Sequence, residues 1–264
     1  MIRVGQYVIN SFWKKILYIL ELVELLIASV EQFIVRSKER RILMPILLKQ
    51  ILFTGVDGLR LIGILALVLG GMILFLAESL SQTLLFNQNL IGTLMSDILL
   101  REIAPLFTAI ILIGRSGTAV ATEIGNMKVN NELEALESLG IDPLHFLVAP
   151  RVIGITVSMV LLVIYFFFIG MLGGYLFSTT FFNIQLPLDE YVGIVFQEMD
   201  MADIGMAMIK SLFFGIFISV IPCHKGLKMP PSITFVPVAT TQSVVSSMTS
   251  VFFFYAYFTI LYYL

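Results

Sequence analysis

Charge is scarce in this sequence. Of 264 residues only 13% are Asp, Glu, Lys or Arg, against roughly 25% in a soluble domain, while 58% are hydrophobic. With a mean hydropathy of +0.98, that scarcity excludes a soluble domain of useful size and marks an integral membrane protein. Cysteine is scarcer still. Cys223 stands alone, which excludes an internal disulfide framework and a cysteine-based metal site. The two histidines, His145 and His224, lack metal-ligand spacing, so no metal site is expected. Gly-x-x-x-x-Gly-Lys-Ser/Thr is absent, so the chain has no P-loop for ATP. The run from Gly114 to Thr118 lacks the Gly-x-Ser-x-Gly spacing of a nucleophile elbow, and no Ser/His/Asp arrangement is credible, so no catalytic residue is expected. The basic residues are dispersed along a membrane face, which leaves nucleic-acid binding without support.

What is present is a succession of apolar runs. A membrane-crossing helix takes about 20 mostly apolar residues. Five stretches meet that demand: about 59–78, 95–118, 152–178, 204–222 and 238–264. The third is read as one long helix. The gap without charge between Arg151 and Asp189 is 37 residues, short of the 40 or so that two crossings and a turn would take. Gly170, Gly173 and Gly174 allow a close helix contact or a bend within it. Lys225 and Lys228 fall in what reads as a short basic loop, Cys223 to Lys228. Pro230, Pro231 and Pro237 should delay the start of the last helix, and Tyr255, Tyr257, Tyr262 and Tyr263 suit interface anchors near its end. Alternate loops hold 14 of the 16 basic residues; Arg101 and Lys210 are the two inside helices. That bias predicts five crossings with the N-terminus inside and the C-terminus outside. An odd count also leaves no inverted repeat of equal halves, which argues against a secondary transporter.

Residues 1–50 form a separate segment. Glu21 and Glu24 interrupt the apolar stretch from Ile16 to Val30, which is wrong for a signal peptide. Lys14, Glu21, Glu24 and Glu31 share about a third of a helical turn. The pattern predicts an amphipathic helix in the membrane interface, with packing on the other helices as the alternative. The basic run from Arg36 to Arg41 suits anionic headgroups, or orients the chain. The expected fold is therefore an all-α integral membrane protein. It has an N-terminal interfacial helix, five crossings within a membrane domain at 51–264, and a further short helix on the inner face.

That short helix takes about two to three turns between Asn130 and Gly140. Asn130 and Asn131 suit N-caps, Glu134 stands where a capping box requires, Gly140 fits the position after the helix and Pro143 prevents continuation. Leu133, Leu136 and Leu139 recur at helical spacing, with Glu132, Glu134 and Glu137 pointing elsewhere. Such a helix either docks in a partner's groove or packs on its own bundle. Arg101, Glu102 and Lys210 pose a similar choice, since a charge near the bilayer centre costs roughly 2.5–3.5 kcal/mol. They either snorkel to the outer headgroups or line a cavity, with Glu102 able to pair with Lys210. Arg115 and Glu123, at the inner end of the second crossing, read as structural.

The motifs add a resemblance. LREIAP at Leu100–Pro105, GRSGTAVATEIGNMKV at Gly114–Val129, ELEALESLGIDP at Glu132–Pro143 and APR at Ala149–Arg151 resemble the permease subunits of the MlaE (YrbE) family. The likeness continues at Ile209-Lys210-Ser211 and from Val238 to Val245, and covers most of the chain from about residue 45. Where that family usually has a glycine-rich approach to its Ala-Thr-Thr motif, this chain has the stiffer Lys228-Met-Pro-Pro-Ser-Ile-Thr-Phe-Val-Pro.

The resemblance implies the permease subunit of an ABC transporter. Such a subunit moves phospholipid between the bacterial inner membrane and an MCE-domain periplasmic partner, and so maintains outer-membrane lipid asymmetry. It implies a homodimer, and an ABC ATPase subunit that binds ATP and Mg in place of this chain; it leaves room for an accessory cytoplasmic subunit. It places a coupling helix at about 126–140, over the short helix, with Lys128, Glu132, Leu133, Leu136, Glu137 and Leu139 as candidate ATPase contacts. Arg101, Glu102 and Lys210 match charged positions near the family's substrate pocket, which makes them candidate lipid-binding residues. The rivals are a gradient-driven secondary transporter, with Glu102 and Lys210 as a proton-linked pair, and an intramembrane lipid enzyme.

Overall fold

The computed structural model describes residues 17–29, 40–83, 89–181 and 187–264. All regular structure among them is helical. Helix α1 covers residues 17–29 and α2 spans Arg40–Thr54. A short 3-10 turn, Val56–Gly58, leads into α3, Leu59–Thr83. A segmented rod follows: α4 (Asn89–Leu94), a π-helical stretch (Met95–Ile103), α5 (Ala104–Leu112), a second π stretch (Ile113–Gly117) and α6 (Thr118–Val129). After α7 (Glu132–Ser138), a third π stretch (Leu144–Val148) feeds α8 (Ala149–Phe181). Then come α9 (Leu188–Glu198), α10 (Met201–Lys228), a 3-10 turn (Ile233–Phe235) and α11 (Val236–Tyr263).

Among the described residues four helical spans are long and apolar enough to cross a membrane: Met44–Ala77, Phe146–Thr180, Met201–Lys228 and Ile233–Tyr263. The first joins α2 to α3, whereas the sequence suggests a crossing that starts near residue 59. The expected crossing at 95–118 is helical but broken into short α and π segments. The π turns show in the backbone: the amides of Ala104, Thr118 and Ala149 each reach the carbonyl five residues back, at Leu99, Ile113 and Leu144. The stretch expected as a basic loop, Cys223 to Lys228, is instead the last turns of α10, which passes through Pro222 without ending. Apolar packing of Ile218, Val220, Ile221 and Cys223 keeps the chain helical there. As expected, residues 152–178 form one helix; Pro237, expected to delay the last helix, instead sits in its first turn, where its missing N–H leaves no bond unmade.

Helix α8 is the hub. It packs on α2, α3, α5 and α10, and α10 in turn packs on α6 and α11. The approach of α3 to α8 depends on glycine. A Cβ at Gly70 would fall 1.8 Å from the Gly170 carbonyl oxygen, and one at Gly173 would fall 2.4 Å from that of Leu67. Any side chain there would force the helices apart. Inside the bundle Ile62, Met95, Leu112, Ile155, Phe166 and Phe214 are fully buried. Outside it, Leu61, Ile64, Val68, Met72, Phe75 and Leu76 of α3 are exposed, as are Phe252, Phe253, Ile260 and Leu261 of α11. Apolar outward faces on helices of this length suit hydrocarbon rather than water.

Of the expected interfacial helix, Lys14 and Glu31 lie outside the described residues. Within α1, Leu22, Leu25 and Leu26 pack against the core while Leu20, Val23 and Ile27 are exposed. Glu21 points to the last turns of α10, where Oε2 meets His224 Nε2 at 2.9 Å and Oε1 meets Lys228 Nζ. Elsewhere Arg151 pairs with Glu123 at 2.8 Å and Arg115 with Asp57 at 3.3 Å, so Arg115 and Glu123 tie helices together.

Candidate functional site

Two places carry the charged residues that the sequence singles out. The first is a buried network where the first π stretch meets the start of α10 and the end of α11. Lys210 has no exposed surface and Arg101 only 2%. Neither snorkels. The Lys210 ammonium donates to Glu102 Oε2 at 2.7 Å, to the Arg101 carbonyl at 3.2 Å and to Thr259 Oγ1 at 3.1 Å, so its three protons have three acceptors. Thr259 in turn donates to the same Glu102 oxygen at 3.0 Å. The Glu102–Lys210 pair expected from the sequence is therefore formed.

Arg101 is held by a different set. Its Nη1 donates to Asp203 Oδ1 at 2.8 Å and lies 3.2 Å from Asp97 Oδ1, while Nη2 donates to Tyr263 Oη at 2.6 Å. Tyr262 donates to Asp203 at 2.9 Å, and the Arg101 guanidinium lies 4.3 Å from the centre of the Tyr262 ring. Arg101 Nε and Glu102 Oε1 face each other at 3.4 Å but form no hydrogen bond, and both are buried without another partner among the described residues.

Local sequence explains the placement. Asp97 and Arg101 stand four apart on one helical stretch. Asp200 and Asp203 form a capping box at the start of α10, which fixes the Asp203 carboxylate at the helix end. Asp203 and Lys210, seven apart, share a face of α10, and Thr259, Tyr262 and Tyr263 share one of α11 at spacings of three and four. From the sequence the tyrosines read as interface anchors, and Asp203 is not singled out. The i, i+7 relation of Asp203 to Lys210 was the missed signal.

The second place is α7 and its approach. The helix is shorter than the expected 126–140, because Asn126 to Val129 belong to α6 and Asn130-Asn131 makes a turn between them. The capping box is not formed. Asn131 adopts φ +58°, a left-handed conformation that Asn tolerates, and its side chain makes no cap; its carbonyl accepts from Ala135 N at 3.0 Å instead. The far end is as expected. Gly140 takes φ +75°, with Gly140 N bonded to Glu137 O at 2.9 Å and Ile141 N to Leu136 O at 3.0 Å. These two bonds make a Schellman closure.

No residue of α7 is buried. Leu133 and Leu136 are half-buried, Leu139 is 75% exposed, and Glu132 and Glu137 face outward. Lys128 does not join them: it donates to the Leu227 carbonyl and ties α6 to the last turn of α10. Glu132 accepts from Asn130 Nδ2 at 3.3 Å.

The sequence profile described as "Permease MlaE" matches residues 47–261 of this chain. The chain belongs to the MlaE permease family. Among its relatives is the "Intermembrane phospholipid transport system permease protein MlaE" of Haemophilus influenzae, 32% identical over 202 residues, 76% of each chain. The "Probable ABC transporter permease protein RT0041" of Rickettsia typhi is 31% identical over 204 residues, 77% of this chain and 78% of its own. The chloroplastic protein TRIGALACTOSYLDIACYLGLYCEROL 1 of Arabidopsis thaliana is 34% identical over 162 residues, 61% of this chain and 46% of its own. Both the buried network and α7 lie inside the segment matched to the MlaE family.

Proposed function

We propose that this MlaE-family protein is the membrane-embedded permease of an ABC system that moves phospholipid, and that Arg101, Glu102 and Lys210 handle the polar end of the lipid. The observation that carries this reading is the buried pairing of Lys210 and Arg101 with Glu102 and Asp203 at one end of an apolar bundle. Charges so costly to bury are kept where they serve a polar cargo or partner. Arg101 Nε, which makes no hydrogen bond, is the donor that a headgroup oxygen would take up once the network rearranges.

In this reading the segmented rod completes five crossings, with the N-terminus in the cytoplasm and the C-terminus in the periplasm of a bacterial inner membrane. Two copies form a homodimer. The leucines of α7, with Glu132 and Glu137, seat in an ABC ATPase subunit that binds ATP and Mg and supplies the work. An MCE-domain protein exchanges lipid on the periplasmic side, maintaining outer-membrane asymmetry, and an accessory cytoplasmic subunit completes the assembly. The relatives named as ABC permeases weigh against a gradient-driven transporter.

The test is reconstitution of the chain, with the ATPase that co-purifies with it, in phospholipid vesicles. Lipid movement should need ATP, and Lys210→Ala should abolish it while the complex still assembles. Movement driven by a proton gradient without ATP, or full activity in Lys210→Ala, would overturn the reading.

A further inference from the structure

At the end of the bundle where α10 finishes, its last turn and the first turns of α11 enclose a cavity of about 340 Å³. His224, Lys225, Lys228 and Gln242 line one part of it; Met229, Phe235, Val238 and Ala239 line the rest. Its volume lies at the lower end of the roughly 300–1,000 Å³ usual for small-ligand sites. Its nitrogen donors have capacity left. Among the described residues no carboxylate pairs with Lys225, whose ammonium lies 5.0 Å from the centre of the Tyr18 ring. Lys228 is half exposed and has Glu21 as its ion-pair partner. His224 is 5% exposed and offers Nε2, the nitrogen that meets Glu21, as its donor; the buried Nδ1 of the neutral ring is an acceptor and holds no anion.

Glu21 shows what these donors accept. Its two carboxylate oxygens divide between His224 Nε2 and Lys228 Nζ, as two oxygens of a phosphate would. An apolar track leads away from the cavity along α11. Val238, Val245 and Phe252 recur every seven residues on one face and are 46%, 59% and 48% exposed. A ligand that matches the whole surface carries an anionic oxygen cluster at one end and hydrocarbon at the other.

We propose that this cavity binds the phosphate of an anionic phospholipid headgroup, at a site separate from the Arg101 network, and that Glu21 of α1 competes with it for Lys228 and His224. The acyl chains lie along Val238, Val245 and Phe252. Arrival of the lipid frees Glu21 and loosens the hold of α1 on α10, so lipid charge at this membrane face sets how α1 is docked. The proposal rests on the membrane-protein reading alone, not on ATP-driven transport.

The test uses the purified full chain in nanodiscs of phosphatidylcholine with a fraction of phosphatidylglycerol, and native mass spectrometry to count the lipids that stay bound. Phosphatidylglycerol should be retained in preference to phosphatidylcholine. Lys225→Ala with Lys228→Ala should lower that preference roughly fivefold for each lysine, Arg at both positions should keep it, and Glu21→Gln should raise it. Unchanged retention in both the alanine pair and Glu21→Gln overturns the proposal. If the alanine pair fails to fold, the absence of a gain in Glu21→Gln overturns it alone. Displacement of the lipid by millimolar inorganic phosphate, with phosphate itself bound, would assign the cavity to a soluble anion and overturn the lipid source. Retention is read without ATP or a partner chain, so its failure leaves the transport reading standing, and the failure of transport leaves retention untouched.

Discussion

Two charged regions of this molecule solve opposite problems. In the network around Arg101 and Lys210, the cations are buried and bond to acids, hydroxyls and a carbonyl of their own chain. In α7, Glu132, Glu134 and Glu137 face outward, and Leu139 beside them is as exposed as the acids. The first region meets most of its needs from within, and only Arg101 Nε and Glu102 Oε1 are left without a hydrogen bond. The second has none of its leucines buried, so folding alone does not explain why they are there. Internal satisfaction suits a site that must stay ordered in hydrocarbon; its lack fits the docking proposed for α7.

The comparison breaks most visibly at Lys210. Lys210→Ala leaves the largely buried Glu102 with only the Thr259 hydroxyl and the 3.4 Å contact to Arg101 Nε, and removal of one member of a buried pair costs about 3–5 kcal/mol. Thermal unfolding in detergent should show the loss. Lys210→Met combined with Glu102→Gln should recover most of it, because no net charge is left stranded; a double variant as unstable as the single one would show that packing, not charge, is at stake. A smaller effect is expected at the edge of the network. Tyr263→Phe deletes the acceptor for Arg101 Nη2 and should cost about 0.5–1.5 kcal/mol, because Tyr263 is 69% exposed and water can take the place of its hydroxyl.

On α7 the expectation reverses. Leu136→Glu should change stability by less than about 0.5 kcal/mol, as surface substitutions do, yet release the ATPase in co-purification. Loss of folding without release would sink the contrast. The smallest effect concerns Glu21, whose carboxyl is held below its ordinary value of 4.5 by hydrogen bonds from Lys228 and then His224. A lowered value in the folded state means that the contact stabilises above the ordinary value and fades as pH falls through the lower one. Proteolysis of α1 should therefore quicken at strongly acid pH in the wild type, and the pH dependence should vanish in Glu21→Gln.

Much of this could be read from the chain itself. Apolar run lengths located α3, α8, α10 and α11, because a crossing helix is defined by length and composition. The Glu102–Lys210 pair was legible because an apolar helix tolerates few charges and these two had few other partners. Asp203, Thr259, Tyr262 and Tyr263 were not legible as members of the network, since their contact with Arg101 and Lys210 joins segments 49 to 162 residues apart. The continuation of α10 past Pro222 was hidden too, because local signals read as a basic loop and tertiary burial overrode them. Asn131 misled for a related reason: the same residue type that caps helices also tolerates a left-handed turn, and the backbone chose the second.

The π turns between Arg101 and α7 give the rod a kind of slack. Each holds a residue that an α-helix of the same rise would not need, so Ile113–Gly117 takes up one extra residue inside a single wider turn. Excising it, for instance at Gly114, whose Cβ position has nothing within 4 Å, would let that turn close with α-helical bonds, and α6 and α7 would swing far less than the roughly 100° that the loss of a residue from a plain α-helix brings. The direction in which α7 faces is thus buffered against a change in chain length, as a slip joint lets a pipe shorten without turning what it feeds.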